Sequence, residues 1–152
     1  MKAEDFVKVD PIKVAQEASE KEIVWNFAEK SIEPLREILG VKELRVYSFE
    51  FPMEYKEEKG RVDLILEIVN DGNVYDKKNP LLVFEFKKNR IRYGPIDQLL
   101  FYMKSVGGKL YRPNVQGYLA APEFSFHEIE EARKSNCHCL QFDNKGNIRL
   151  LC

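Results

Sequence analysis

Leu81-Leu82-Val83-Phe84-Glu85-Phe86-Lys87 reads as a buried strand that ends in charge. Side chains two apart on a strand share a face, so Glu85 and Lys87 lie together and Phe84 and Phe86 take the other side. A carboxylate on an apolar strand is costly unless it is paired or binds a metal. About 20 residues earlier, Arg61-Val62-Asp63-Leu64-Ile65-Leu66 heads another apolar run with a lone Asp. Antiparallel pairing of the two runs, turning within Asn70-Asp71-Gly72-Asn73, puts Asp63 opposite Glu85. Two carboxylates and one ammonium then share one face of a hairpin.

Outward from this hairpin, the chain reads as an α/β domain. Asp10-Pro11 begins a helical pattern that reaches Leu39, with Ser19 to Glu22 as a capping box and Gly40 as a stop. Pro34 breaks it into two helices or a kinked one. Residues 41–51 form a strand, and the polar segment 52–60 a turn. Strands follow at 61–69 and 80–87, then a basic loop at 88–94. A helix over 96–106 is introduced by Pro95 and ended by Gly107-Gly108, with Leu99, Leu100, Tyr102 and Met103 packing. A strand at 115–121, a helix at 126–134 and strands at 137–142 and 148–151 complete the order. This is a mixed sheet flanked by helices, one domain over residues 1–152.

Net charge is −1, which by itself says nothing about a polyanionic partner. Its distribution says more: Lys87, Lys88, Arg90, Arg92, Lys104, Lys109 and Arg112 face Asp97 alone between residues 87 and 112. That polarity is the electrostatic footprint of a nucleic-acid surface, or else a solvated basic face. No apolar run reaches the roughly 20 residues of a membrane span. The N-terminal residues carry no secretory pattern, and three cysteines argue for a reducing compartment, so a cytoplasmic location is expected. Cys137-His138-Cys139 does not match a zinc knuckle. Alternation makes Cys137 and Cys139 small core residues, with Trp25 and Phe27 core residues of the first helix and His127 on the surface.

Asp63, then Glu85-Phe86-Lys87, then a helix carrying Gln98 resembles the PD-(D/E)xK nuclease superfamily. The stretch Gly94-Pro95-Ile96-Asp97-Gln98-Leu99-Leu100-Phe101-Tyr102-Met103 looks like the Gln-x-x-x-Tyr helix of archaeal repair and resolvase-like branches. The proline of the motif's name is absent, since Val62 precedes Asp63. The resemblance covers roughly residues 17–121. It implies a restriction-endonuclease-like αβββαβ core and a Mg²⁺-dependent nuclease, with Mn²⁺ as a substitute. Asp63, Glu85 and the Phe86 carbonyl would be metal ligands, Lys87 would act on the attacking water and the phosphate, and Gln98 would hold the backbone. Glu20-Lys21-Glu22-Ile23-Val24 is similar to the run of archaeal Holliday-junction resolvases that adds a catalytic Glu, which favours Glu20 over Glu22 and Glu29. Lys88, Arg90, Arg92, Tyr102 and Lys104 are the expected nucleic-acid contacts. DNA is the expected partner, with RNA left open, and cutting both strands of a duplex would favour a homodimer. The rival readings are a silent nucleic-acid-binding module of the same fold and a protein-interaction domain with a basic docking face.

Overall fold

The computed structural model describes residues 20–55, 58–87 and 95–152. The expected start of the first helix at Asp10-Pro11, its Ser19 capping box and the basic loop at 88–94 lie outside the described residues. Helix α1 (Glu20–Lys30) and helix α2 (Ile32–Leu39) precede three strands, β1 (Leu44–Tyr55), β2 (Glu58–Ile68) and β3 (Leu81–Phe86). Helix α3 (Pro95–Leu110), strand β4 (Val115–Ala121), helix α4 (Phe126–Lys134) and strands β5 (His138–Phe142) and β6 (Ile148–Leu150) follow. The six strands lie in sequence order in one sheet. β1, β2 and β3 are antiparallel, β3 to β5 parallel, and β6 returns antiparallel against β5. No helix among the described residues is long and apolar enough to cross a membrane.

Alternation along β3 sorts the core into two layers. Phe84 and Phe86 lie with Val24, Phe27 and Leu35 of α1 and α2, whereas Leu81 and Val83 lie with Ile96, Leu99 and Val106 of α3 and Ala132 of α4. The first layer is aromatic: Phe27 meets Phe84, Phe86 and Phe142 at 5.5, 5.2 and 5.6 Å between ring centroids. Tilted and edge-on pairs at such distances are favoured by the ring quadrupoles. The second layer is tight at Gly117, where an added Cβ would run into Met103 and Leu99 of α3. Cys137 and Cys139 are buried there as expected.

Several local expectations give way to tertiary context. The break between α1 and α2 falls at Ser31, and Pro34 sits in the first turn of α2, where it displaces no helical hydrogen bond. Gly40 closes α2 in the left-handed conformation, φ 67°. Within the expected turn at 52–60, the described residues 52–55 and 58–60 form the outer part of a long β1–β2 ribbon; Pro52 fits because β1 is an edge strand. α3 runs through Gly107 and Gly108 to Leu110. Gly107 is needed for packing, since a Cβ there would press on the Arg112 carbonyl at 3.2 Å. Trp25 is 59% exposed and stacks on Phe49 at the surface instead of entering the core. Leu100 is likewise exposed.

The β2–β3 connection, residues 69–80, is close to the length left between the expected strands and is organised around Glu67, which is fully buried. One carboxylate oxygen accepts from Tyr75 N–H at 2.9 Å, Asn79 Nδ2 at 3.2 Å and Arg112 at 3.3 Å. The other lies 3.5 Å from Arg45. A buried carboxylate with this many donors is tolerated; the guanidinium left behind without it is not. Glu67→Ala is therefore expected to cost about 3–5 kcal/mol, read as a lower urea midpoint with the slope unchanged, and Glu67→Gln to cost less. Burial also pushes Tyr118 up to about 12, Cys137 to about 11 and Cys139 to about 12. The folded state holds these protons longer than the unfolded chain. Their contribution is thus complete below about pH 9, where an unfolded thiol keeps its proton, and is lost as pH climbs through 11 to 12. A urea-unfolding series from pH 8 to 11 should show that decline.

Candidate functional site

β2 and β3 pair through Leu64 with Phe84 up to Glu67 with Leu81. One further step of that register sets Asp63 opposite Glu85, as the alternation predicts. At this point the strands stop exchanging backbone hydrogen bonds, and the Asp63 carboxylate takes over: its Oδ2 accepts from the Phe86 N–H at 3.0 Å. On the far side of β3, Lys87 N–H donates to the Ala120 carbonyl at 2.7 Å, extending the parallel pairing with β4. Asp63 and Glu85 are half-buried and Lys87 is only 7% exposed. The three lie at the C-terminal end of the parallel strands, where loops diverge and a ligand has room to enter.

Lys87 crosses to α4, and its Nζ forms an ion pair with Glu128. It also lies 5.5 Å from the centre of the Phe124 ring. Glu128 belongs to the capping box of α4: its Oε1 accepts from Ser125 N–H at 2.7 Å, while its own N–H donates to Ser125 Oγ at 3.2 Å. Burial alone would raise the Glu128 carboxyl, but hydrogen bonds from Lys87 and Ser125 outweigh it and hold the group below the ordinary value. Glu128 is absent from the sequence-derived site. Its signal was present as Ser125-x-x-Glu128 ahead of the helix, but that pattern announces a cap and not a partner 41 residues away.

The other expected site residues divide. Gln98 is half-buried, and its Nε2 donates to the Tyr102 hydroxyl at 2.8 Å. Tyr102 is 1% exposed, with its ring in the second core layer and its hydroxyl against Gly60, where a Cβ would come within 2.5 Å. It is therefore a core residue that orients Gln98, not a nucleic-acid contact, because the hydrophobic face of α3 claims that position. Lys104 is exposed, beside an open groove of about 390 Å³ at the C-terminal part of α3. Lys88, Arg90 and Arg92 lie outside the described residues, as does the Glu20 side chain; Glu22 and Glu29 are exposed on α1. The basic footprint is also smaller than the sequence count suggests. Lys87 and Arg112 are buried and spent on Glu128 and Glu67, which leaves Lys104 and Lys109 as its exposed members among the described residues.

The donors at this strand end are hard: two carboxylates and the Phe86 carbonyl. Among the described residues no three His, Cys, Asp or Glu side chains gather into a metal-binding group. Such a sparse oxygen set suits Mg²⁺, which commonly binds one or two carboxylates and completes its shell with water and substrate phosphate. It does not suit a four-ligand structural zinc.

No family model and no curated protein matches the chain. Among solved structures, the crystal structure of a repair endonuclease from Pyrococcus abyssi aligns over 93% of this chain, with a TM-score of 0.50 and 20% identity. The structure of an EndoMS–dsDNA complex aligns over 93% as well, at the same TM-score and identity. The chain spans about half of each, 50% and 49% of their lengths. At that identity the likeness establishes the fold: a mixed six-stranded sheet flanked by helices, shared with repair endonucleases.

The Lys87–Glu128 pair is open to a double-mutant cycle. Glu128→Gln keeps the cap, because Gln serves the same position of a capping box, but strands the Lys87 charge. Lys87→Met in the same chain should recover much of the loss, giving a coupling of about 1–3 kcal/mol in urea unfolding. That coupling is in place above the ordinary glutamate value of 4.5 and disappears as pH falls through the lower folded value.

Proposed function

We propose that this chain is a Mg²⁺-dependent nuclease of the PD-(D/E)xK type acting on DNA. The observation that carries the reading is the junction of Asp63 with the Glu85-Phe86-Lys87 run. The carboxylate of one strand is anchored to the backbone of the next, at the end of the parallel strands, one residue before Lys87. The fold shared with repair endonucleases supports it, and the DNA in the EndoMS complex makes DNA the partner to test first.

Asp63, Glu85 and the Phe86 carbonyl, with Glu20 as a further donor, would hold the cation; Mn²⁺ meets the same oxygen chemistry. Once bound, it would stabilise charge on the phosphate and lower the pKa of an attacking water. The Asp63–Phe86 hydrogen bond keeps the carboxylate oriented without substrate, which removes part of the ordering cost of assembling a site. Lys87 places a positive charge where the phosphate would lie, and its confinement between Glu128 and Phe124 limits the directions it can take. Gln98, oriented by Tyr102, stands at the start of α3 to meet a strand backbone. One observation favours the rival reading of a silent binding module: in this structure the Lys87 ammonium is already engaged by Glu128.

Supercoiled, linear, single-stranded and branched DNA, incubated with Mg²⁺, Mn²⁺ or EDTA, separates these readings. Cleavage by the wild type should require the metal, and Asp63→Ala or Glu85→Ala should reduce it at least about 100-fold, beyond the usual effect of losing a metal's outer-shell partner, while leaving the circular dichroism spectrum unchanged. Wild-type cleavage rates in either variant would remove the site from consideration. DNA binding without cleavage under every metal condition would support the silent module.

A further inference from the structure

The opposite end of β3, where the β2–β3 and α3–β4 connections meet, carries a second organised surface. Tyr75 is 57% and Tyr111 73% exposed. Both hold a left-handed backbone, φ 63° and 55°, which bulky residues seldom adopt and which persists only where the surroundings enforce it. The enforcing group is the same for both. Glu67 accepts the Tyr75 N–H, and Arg112, the residue after Tyr111, donates to the same carboxylate oxygen and to the Asn79 carbonyl. A fully buried ion pair thus fixes two exposed rings. Each ring has a cation over it: the Arg45 guanidinium lies 4.5 Å from the centre of Tyr75, and Lys77 Nζ 5.0 Å from the centre of Tyr111, which ties one connection to the other.

The Tyr111 ring, exposed in this way and backed by a positive charge, offers a face to another planar group, and the Tyr75 ring, which also meets Tyr47 at 5.6 Å in a T-shaped contact, is held in place beside Arg45. Nucleobases stack on such rings whatever their sequence, and adjacent lysines take the phosphates. Loop-borne rings reach bases that are already unstacked, as in a single strand, and not bases closed inside a duplex. Asp71 and Asp76 share the loop, but the Asp76 carboxylate caps its own turn by accepting the Lys78 N–H at 2.9 Å.

We propose that Tyr75 and Tyr111 form a stacking platform for single-stranded nucleic acid, beyond the end of β3 opposite Glu85, with about 13 Å of strand between Glu85 and Leu81. It is separate from the candidate cleavage site and does not require that site to be active. The test is fluorescence anisotropy with 5′-fluorescein-labelled oligo(dT) in EDTA, so that cleavage plays no part. Wild type should bind, Tyr111→Ala should weaken binding about tenfold, and Tyr111→Phe, which keeps the ring, should bind as wild type. Lys77→Ala should weaken binding and flatten its salt dependence. Tyr111 is exposed enough that its alanine variant should unfold at the wild-type urea midpoint, and that is checked alongside. No binding by the wild type, or equal binding by Tyr111→Ala, would overturn the proposal, whatever the outcome of the cleavage assays.

Discussion

The register of β2 against β3 is the constraint on which the rest depends. A slip of one residue would turn every side chain of β2 to the other face, moving Asp63 away from Glu85 and exchanging Ile65 and Leu64 between the two core layers. Two carboxylates on the same face of β2 pin it, one at each end of the shared ladder. Glu67 is closed in by Arg112, Asn79 and the Tyr75 N–H, so the connection that sets the strand alignment is folded around it. Asp63 takes the Phe86 N–H just where the backbone ladder lapses. The two acids, four residues apart, meet opposite fates because one end of the strand is covered by the α3–β4 connection and the other is open.

Beneath and beside the site, two packed layers hold β3 still. Phe84 and Phe86 key into a cluster of rings from α1 and β5, so the strand bearing Glu85 and Lys87 is locked from below. From above, the cap of α4 reaches Lys87 through Glu128. The same carboxylate therefore serves a helix N-terminus and an ammonium. Movement of α4 would be felt at Lys87 before it was felt elsewhere in the sheet. The coupling is electrostatic as well as mechanical, since a nearly buried ammonium is stable only while its counter-charge stays close.

Much of this was legible in the chain. Alternation in residues 81–87 placed Glu85 and Lys87 on one face, and the spacing between two apolar runs set Asp63 against Glu85. The strand at 115–121 and the helix at 126–134 were readable to the residue, because their patterns are bounded by Pro113, Pro122 and Ser125. Other readings failed where a local signal met a long-range contact. Gly107-Gly108 looked like a helix stop, but the helix runs on to Leu110, with Gly107 packed closely against Arg112 and Val115. Trp25 looked like core by its type, yet its place on α1 faces the rim.

By itself, the sequence determined which residues alternate, which strands could pair and which charged groups would therefore share a face. These are consequences of a period of two and a connection length. Only the tertiary structure decided which charges neutralise one another. Lys87 and Glu128 lie 41 residues apart, Glu67 and Arg112 45 apart. Periodicity says which way a side chain points, not what the fold brings to cover it. A buried charge takes whatever partner the crossing connections deliver, because leaving it unpaired costs more than any local preference.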